Sequence, residues 1–334
     1  MKDALVTVII PFYNEETHLE QAINSVLEQT YSPIEIILIN DGSIDNSKEI
    51  AVSICSKHAI CSLINSANYG PGNARNIGIK NANGSFIAFL DADDVLEKRA
   101  LQTLVKSMEQ TDLVIGMYAM QKTNKKVIKK TTWNKANTIT TNEAIFCVLN
   151  NEITPTVWGK LFRTDIAKHC SFPVKTWKED DVFILNYLKL STTITILNKQ
   201  VITINNSPTS LTRQPISITM IEDISFSYKK QIQLILPNKQ WKNKIVQNQL
   251  HAFLNLFLII KIDWYKIKNR EKVLSSYQKE LQSFYEEYRD TLSLKHKLIV
   301  GLLQLSNFIG WKVPLFFITI IKKQQLNSLI NIKS

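Results

Sequence analysis

Hydrophobic and polar positions alternate along the first 120 residues in a strand–helix rhythm. "ALVTVIIPF" (4–12) is an unbroken β-rich run, the pattern of a strand covered on both faces. "NEETHLEQAINSVLEQ" then repeats with helical spacing, placing Leu19, Ile23, Val26 and Leu27 on one face, with Asn14 expected as its N-cap. "IEIILIN" (34–40) is a second strand that stops at "DGS", and a helix follows with Ile50 and Ile54 inward. "CSLIN" (61–65) predicts a short third strand, "NYGPGNARNIGIKNA" a Gly/Pro-punctuated loop entering a helix, and "FIAFL" (86–90) a fourth strand. "KRALQTLVKSM" is helical with Leu101, Leu104, Val105 and Met108 aligned, and "DLVIG" (112–116) is a fifth strand. This rhythm predicts an α/β fold with a doubly wound, mostly parallel sheet.

After residue 120 the rhythm breaks. Residues 122–142 are polar and read as a hairpin or excursion, "NEAIFCVLN" and "DDVFILNYLKL" as helices, and "TITIL…VITI" as a strand pair. From about residue 225 the pattern is helical, so the expected division is 1–224, an α/β domain, and 225–334, a helical C-terminal extension.

Charge sharpens that division. The 334-residue chain carries +11, but residues 1–224 hold 22 Lys+Arg against 23 Asp+Glu, and residues 225–334 hold 18 against 6. The whole excess lies in the C-terminal third, which points to an anionic surface. Its basic residues are interleaved with Leu, Ile and Phe, which disfavours nucleic acid as the partner. "LIVGLLQLSNFIGWKVPLFFITIIKK" is interrupted by Gln304, Ser306, Asn307, Lys312 and Pro314, so no clean span of about 20 apolar residues exists. Helices lying in a membrane interface, with Lys322 and Lys323 at the headgroups, are one reading; the core of a helical domain is the other. "LHAFLNLFLIIKIDWYKIKNR" carries the same two readings.

The remaining composition excludes more than it offers. Four cysteines form no CxxC pair and five histidines no ligand-spaced cluster, so reduced thiols and no zinc site are expected. The N-terminal apolar run is about seven residues long and ends at Pro11, which is short for a secretory signal. A cytoplasmic location, peripheral on the inner face of the cell membrane, is the resulting expectation.

The candidate chemistry lies at the strand ends. In an open α/β sheet, ligands occupy the crevice beyond the carboxyl ends of the strands. The first strand runs into Pro11, Tyr13 and Glu15, the second into Asp41, and the fourth into Asp91, Ala92, Asp93 and Asp94. Carboxylates converging on one crevice repel unless a cation sits among them. Mg²⁺ or Mn²⁺ takes hard oxygen ligands, one or two from carboxylates and the rest from phosphates and water. Each element alone also has a plain structural reading: "DADD" and "NDGS" as turns with helix caps, and "EDD" (179–181) as acids in a first helical turn.

Taken together and in order, "VTVIIPFYNEE", "ILINDGSIDNS", "GPGNARNIGI" and "FLDADD" resemble the signature of family-2 glycosyltransferases with the A-type nucleotide-sugar fold, an inverting family that includes bacterial capsule and surface polysaccharide enzymes. "TVWGKLFRTDI" and "KEDDVF" resemble the family's later motifs, and the likeness covers residues 4–215. The resemblance implies that Tyr13 stacks on the nucleotide base, with Pro11 and Glu15 shaping the pocket, and that Asp41 bonds the base edge. It places Asn73, Arg75 and Ala92 against the nucleotide, Asp91 at the ribose, and Asp93 on the metal. It makes Asp180 the general base, with Glu179 beside it and Asp181 a competing acid. Trp158 and Lys160 are implied near donor or acceptor, with core packing the alternative for Trp158, and Arg213 is a weaker phosphate candidate.

The expected activity is therefore metal-dependent transfer of a hexose or N-acetylhexosamine from a UDP-sugar to a hydroxyl of a glycan or lipid-linked acceptor. A nucleotidyltransferase would need a basic Gly-rich loop after the first strand, where this chain has the acidic "PFYNEE". An inactive scaffold or lipid-surface binding protein of the same fold is the remaining alternative.

Overall fold

The computed structural model describes residues 4–122, 126–135, 137–206, 216–235, 238–262 and 267–305. The chain divides into two compact units, Met1–Ile245 and Val246–Ser334.

The first unit opens with β1 (Val6–Phe12), α1 (Leu19–Leu27), β2 (Ile34–Asn40), α2 (Ser47–Lys57), β3 (Cys61–Asn65), α3 (Pro71–Asn81) and β4 (Phe86–Phe89). It continues with β5 (Val95–Leu96), α4 (Ala100–Val105), β6 (Leu113–Lys122), β7 (Val127–Lys130), β8 (Thr138–Thr140), α5 (Thr141–Leu149), β9 (Lys160–Arg163), α6 (Thr164–Ala167), α7 (Glu179–Leu190), β10 (Thr193–Asn206) and α8 (Ile218–Ile235). Helix α9 (Lys239–Ile262) runs across the division, and α10 (Arg270–Tyr288) and α11 (Leu294–Leu305) belong to the second unit.

One sheet in the order β3-β2-β1-β4-β9-β6-β10-β5 organises the first unit, with β7 on β6 and β8 on β10. β1 pairs in parallel with β2 and β4, and β2 with β3, so the alternating half is wound as the rhythm predicts. β1 is buried along its whole length, as its unbroken apolar run requires, and Leu19, Ile23 and Val26 of α1 close over it. Two parallel halves meet across β9, which runs antiparallel between β4 and β6.

Several elements differ from the sequence expectation. "TITIL…VITI" is not a strand pair but one strand, β10, parallel to β6 with register shifts between Ile196 and Ile202 that absorb the polar "LNKQ" interruption. "KLFR" was not expected as a strand. It is four residues long, too short for periodicity to show. Asn14 does not cap α1: its backbone is left-handed (φ 54°), its Oδ1 accepts from Ile44 N at 2.9 Å, and the helix starts at Leu19. The charge shift at residue 225 falls inside α8, whose Ser227 hydroxyl donates to Trp177 O at 2.7 Å just before α7.

In the second unit Phe253, Tyr277 and Phe284 form an aromatic centre, and the Tyr277 hydroxyl donates to Phe253 O at 3.1 Å. Leu250, Leu254, Leu256, Phe257 and Ile260 are buried as well, so the apolar part of this stretch builds helix packing. Among the described residues no helix is long and apolar enough to cross a membrane. Residues 306–334, with Lys312, Pro314, Lys322 and Lys323, lie outside the described residues, as does Arg213.

Candidate active site

Because β2, β1 and β4 are parallel neighbours, their carboxyl ends present Asp41, Tyr13 and Asp91 along one edge of the sheet. Tyr13 is 42% exposed there, while Pro11 is buried within β1. The Glu15 amide donates to Ser47 Oγ at 2.8 Å and its carboxylate lies 3.3 Å from His18 Nδ1; burial raises its pKa. Asp41 is buried and its two oxygens accept from Tyr69 N (3.1 Å) and Gly70 N (2.8 Å), so it ties the end of β2 to the entry of α3. Asn73, in the first turn of α3, reaches Ser66 Oγ at 3.4 Å.

Helix α3 starts where Gly70 takes φ +86°, a region that disfavours side chains, and Pro71 pre-sets the first helical residue. At Gly72 the segment after α6 comes so close that a Cβ would lie 2.5 Å from Pro173 O and 3.3 Å from Glu179 Cγ. That approach lets Arg75, one turn further on, reach two distant parts of the chain. Its Nη2 donates to Asp91 at 2.9 Å; its Nη1 donates to Glu179 at 2.8 Å and to Asp180 at 3.1 Å. The fold therefore joins three of the expected acids through one buried guanidinium.

The second side of the site is held from outside the crevice. Asn76 donates to Phe172 O (2.9 Å) and accepts from Phe172 N (2.8 Å). Phe172 stacks on Phe183 of α7 at 4.0 Å, and both rings meet Phe89 of β4 edge-on. Val157 N donates to the other oxygen of Asp180 at 3.2 Å. Asp181 turns elsewhere: it pairs with Lys178 Nζ at 2.9 Å, and Lys178 in turn sits 5.6 Å from the Tyr228 ring centroid.

Burial pushes the Asp180 pKa up to about 7, outweighing the opposing Arg75 charge, with Glu179 and Asp91 adding to the rise. Lys160 is 2% exposed and donates to Thr154 O at 3.1 Å; burial lowers its ammonium to about 7 against the favourable charge of Asp180. Trp158 is half-buried and packs edge-on against Tyr118 at 4.8 Å, so part of it is core.

Asp91, Ala92, Asp93 and Asp94 follow β4. Ala92 is buried, and Asp94 does not cap a helix: its Oδ1 accepts from Asn205 N at 2.9 Å, and Asn205 Nδ2 donates to Asp93 O at 2.6 Å. Burial, together with the negative charges of Asp91 and Glu15, raises Asp93 to about 7. Among the described residues no group of three His, Cys, Asp or Glu forms a self-contained metal cage. The donor chemistry nevertheless fits a hard divalent cation that completes its shell with ligand oxygens, since uncompensated carboxylate charge is what such an ion neutralises.

Sequence reasoning did not reach Lys178, Asn76, Phe172 or Asn205. The first carried a local signal, a Lys just ahead of three first-turn acids. The others are recognisable only through contacts to residues about 100 positions away.

A mostly parallel sheet with acids gathered on its carboxyl edge, closed by an antiparallel insertion and a second acidic helix start, matches the A-type nucleotide-sugar transferase fold. The comparisons with known proteins agree. Residues 7–170 match the family model described as glycosyl transferase family 2. EpsJ of Bacillus subtilis (strain 168), described as an uncharacterized glycosyltransferase, is 32% identical over 238 residues, covering 68% of this chain and 69% of that protein. The chain belongs to glycosyl transferase family 2. Other curated relatives are matched over a smaller share of their length, from 18% to 30% for three rickettsial glycosyltransferases and pneumococcal GlyA.

Solved structures share the fold. S. aureus TarS 1–349 in complex with UDP-GlcNAc superposes with a TM-score of 0.67 at 19% identity, over 90% of this chain and 87% of that one. The mannosyltransferase PcManGT of Pyrobaculum calidifontis, in complex with GDP-Man and Mn²⁺, gives 0.54 at 15% identity over 99% and 86%.

Proposed function

We propose that this glycosyltransferase is a divalent-metal-dependent, inverting enzyme that moves a hexose or N-acetylhexosamine from a UDP-sugar to a hydroxyl of a glycan or lipid-linked acceptor. The proposed setting is bacterial surface polysaccharide or glycoconjugate synthesis, at the cytoplasmic face of the membrane. The observation that carries it is the Arg75 junction, where a carboxylate from the acidic turn after β4 and one with a pKa of about 7 share a guanidinium. A general base works best when its pKa lies near the operating pH, and Asp180 meets that condition.

In this reading Asp180 removes the acceptor hydroxyl proton on the face of the sugar opposite the departing diphosphate. One in-line displacement then inverts the anomeric carbon. Tyr13 offers an exposed ring to the base, a contact that contributes about 1–3 kcal/mol in stacking sites, with Pro11, Glu15, Asp41 and Asn73 around it. Asp91 and Ala92 line the ribose position, and Asp93 holds Mn²⁺ or Mg²⁺, which supplies electrostatic stabilisation of the leaving diphosphate. Glu179, Trp158 and Lys160 border the acceptor side. UDP is supported by the UDP-GlcNAc-bound state of TarS, which shares this fold. Mn²⁺ is supported by the PcManGT complex and by the charge gathered at Asp93.

A panel of UDP-sugars and GDP-mannose, each with Mn²⁺ or with chelator, tests the proposal through release of nucleoside diphosphate. UDP release that requires the metal is expected. Metal-independent release, or release from GDP-mannose alone, refutes the corresponding part. Membrane association of the basic second unit is tested separately by flotation with anionic vesicles at low and high salt, where binding at low salt alone is expected.

A further inference from the structure

We infer that Arg75 is a positioning residue that orients the base Asp180 relative to the donor-side Asp91, rather than a group that binds the nucleotide phosphates. The inference rests on the glycosyltransferase reading of the same site and specifies what that buried arginine does within it.

Three observations carry it. First, the guanidinium side chain is 5% exposed, whereas its partners Asp91, Glu179 and Asp180 are 31%, 14% and 17% exposed. The carboxylates are the more accessible groups, so a phosphate reaching Arg75 would have to displace an acid it repels. Second, the fork is committed: Nη1 serves Glu179 and Asp180, Nη2 serves Asp91, and the buried Nε finds no acceptor among the described residues. An unmade buried N–H is unfavourable, so the geometry keeps both Nη groups on the acids at the expense of the third donor. Third, the partners come from segments 16 and about 105 residues away in sequence, and no other described cation ion-pairs with Asp91, Glu179 or Asp180. Without Arg75 these like charges would repel across the junction.

The arrangement has a direct consequence. Asp180 faces Arg75, Glu179 and Asp91, with the Val157 amide on its second oxygen and the Lys160 charge within electrostatic reach. Arg75 both aims this carboxylate and holds down its proton affinity. A phosphate ligand would act differently, tightening donor binding without necessarily altering the state of Asp180.

Three variants of the full chain separate the two roles. Arg75→Lys keeps the charge and loses the planar fork; Arg75→Met removes both; Glu179→Gln leaves Arg75 in place and removes one anion beside Asp180. Affinity for UDP in the presence of Mn²⁺ is measured by calorimetry. The Asp180 carboxyl is followed by ¹³C NMR titration, identified by its loss in Asp180→Asn. Turnover is followed as UDP release. Arg75→Lys is expected to leave UDP affinity unchanged, and to lower kcat about 100-fold because the base is misplaced. Arg75→Met is expected to move the Asp180 titration to higher pH, and Glu179→Gln to lower pH. UDP affinity weakened about tenfold or more in Arg75→Lys identifies a phosphate ligand and overturns the inference. An Asp180 titration that does not move in Arg75→Met overturns it too. Should Arg75→Met fail to fold, the UDP affinity and kcat of Arg75→Lys retain the test. Failure of the transferase reading would be seen separately, as wild-type protein that releases no UDP, and the titration still judges the role of Arg75.

Discussion

Replacing Asp180 with Asn should make the enzyme slower and remove the loss of stability that wild type suffers as pH rises toward alkaline values. In the folded protein Asp180 rises from an ordinary 3.8 to about 7. The group's contribution to stability is therefore fully present below the unfolded value, and it is lost as pH rises through the folded one. At about 1.4 kcal/mol per pH unit, the interval from about pH 5 to about pH 7 amounts to about 2–3 kcal/mol. Asn copies the shape of the neutral carboxyl and cannot ionise, so the variant lacks this slope. Any constant offset from the amide is the same at all pH values. Asp93 and Lys160 also titrate near 7, but both proteins carry them, and their effects cancel in the difference apart from the coupling of Lys160 to Asp180. Urea denaturation of both proteins at about pH 5 and about pH 8 should show the variant gaining about 2–3 kcal/mol relative to wild type across that interval. Turnover should fall by about 10²- to 10⁴-fold, the usual contribution of a general base, with UDP affinity retained. A stability difference that stays flat with pH would refute the reasoning, because Asp180 would then ionise as an ordinary surface acid. Retained turnover would refute its role as base.

Gly72→Ala places a methyl group 2.5 Å from the Pro173 carbonyl and 3.3 Å from Glu179 Cγ; thermal unfolding should report a loss of about 1–3 kcal/mol, and turnover should fall more than UDP affinity because Glu179 is displaced. Asp181→Asn breaks only the pair with Lys178, so it should keep turnover and cost about 1 kcal/mol or less; inactivity equal to that of Asp180→Asn would move the base to Asp181. Asp93→Asn removes an anionic oxygen from the turn after β4, and should abolish the extra thermal stabilisation by UDP that appears with Mn²⁺; an undiminished effect of Mn²⁺ would exclude Asp93 as a ligand.

The parallel half of the fold was legible because β1, β2 and β4 are largely buried apolar runs separated by helical segments, and these runs are long enough to read. Placement of Asp41, Tyr13 and Asp91 on one edge followed from parallel pairing alone. What escaped was set by contacts between distant segments. "KLFR" is short and half charged, yet its pairing with both β4 and β6 makes it a central strand. "TITILNKQVITINN" looks interrupted, but β6 tolerates the irregularity through shifted register. Asn14 has the residue type and position of a cap, but its side chain accepts from Ile44 instead. The resemblance favours Asp180 over Asp181 in "EDD", but the pattern alone does not say that Asp180 meets Arg75 while Asp181 pairs with Lys178, since adjacent first-turn residues of a helix point in different directions. Arg75 carried a motif signal but no indication that its partners would be carboxylates.

Those partners also explain how the site keeps its geometry. The acidic turn after β4 and the start of α7 carry like charges and would separate if left to electrostatics alone. Two devices oppose that tendency. One is the Arg75 fork; the other is apolar, the Phe172–Phe183 stack on Phe89, with Phe172 clamped to α3 by both ends of the Asn76 amide. Aromatic packing of this kind is insensitive to protonation and salt, so it fixes the distance between α7 and β4, while the guanidinium sets only the final orientation of the acids. Because the guanidinium is 5% exposed, added salt should screen this junction only weakly and disturb neither device. Turnover and thermal stability are both expected to hold as ionic strength rises, and a steep loss of turnover at unchanged thermal stability would mean that the charged junction is open to solvent.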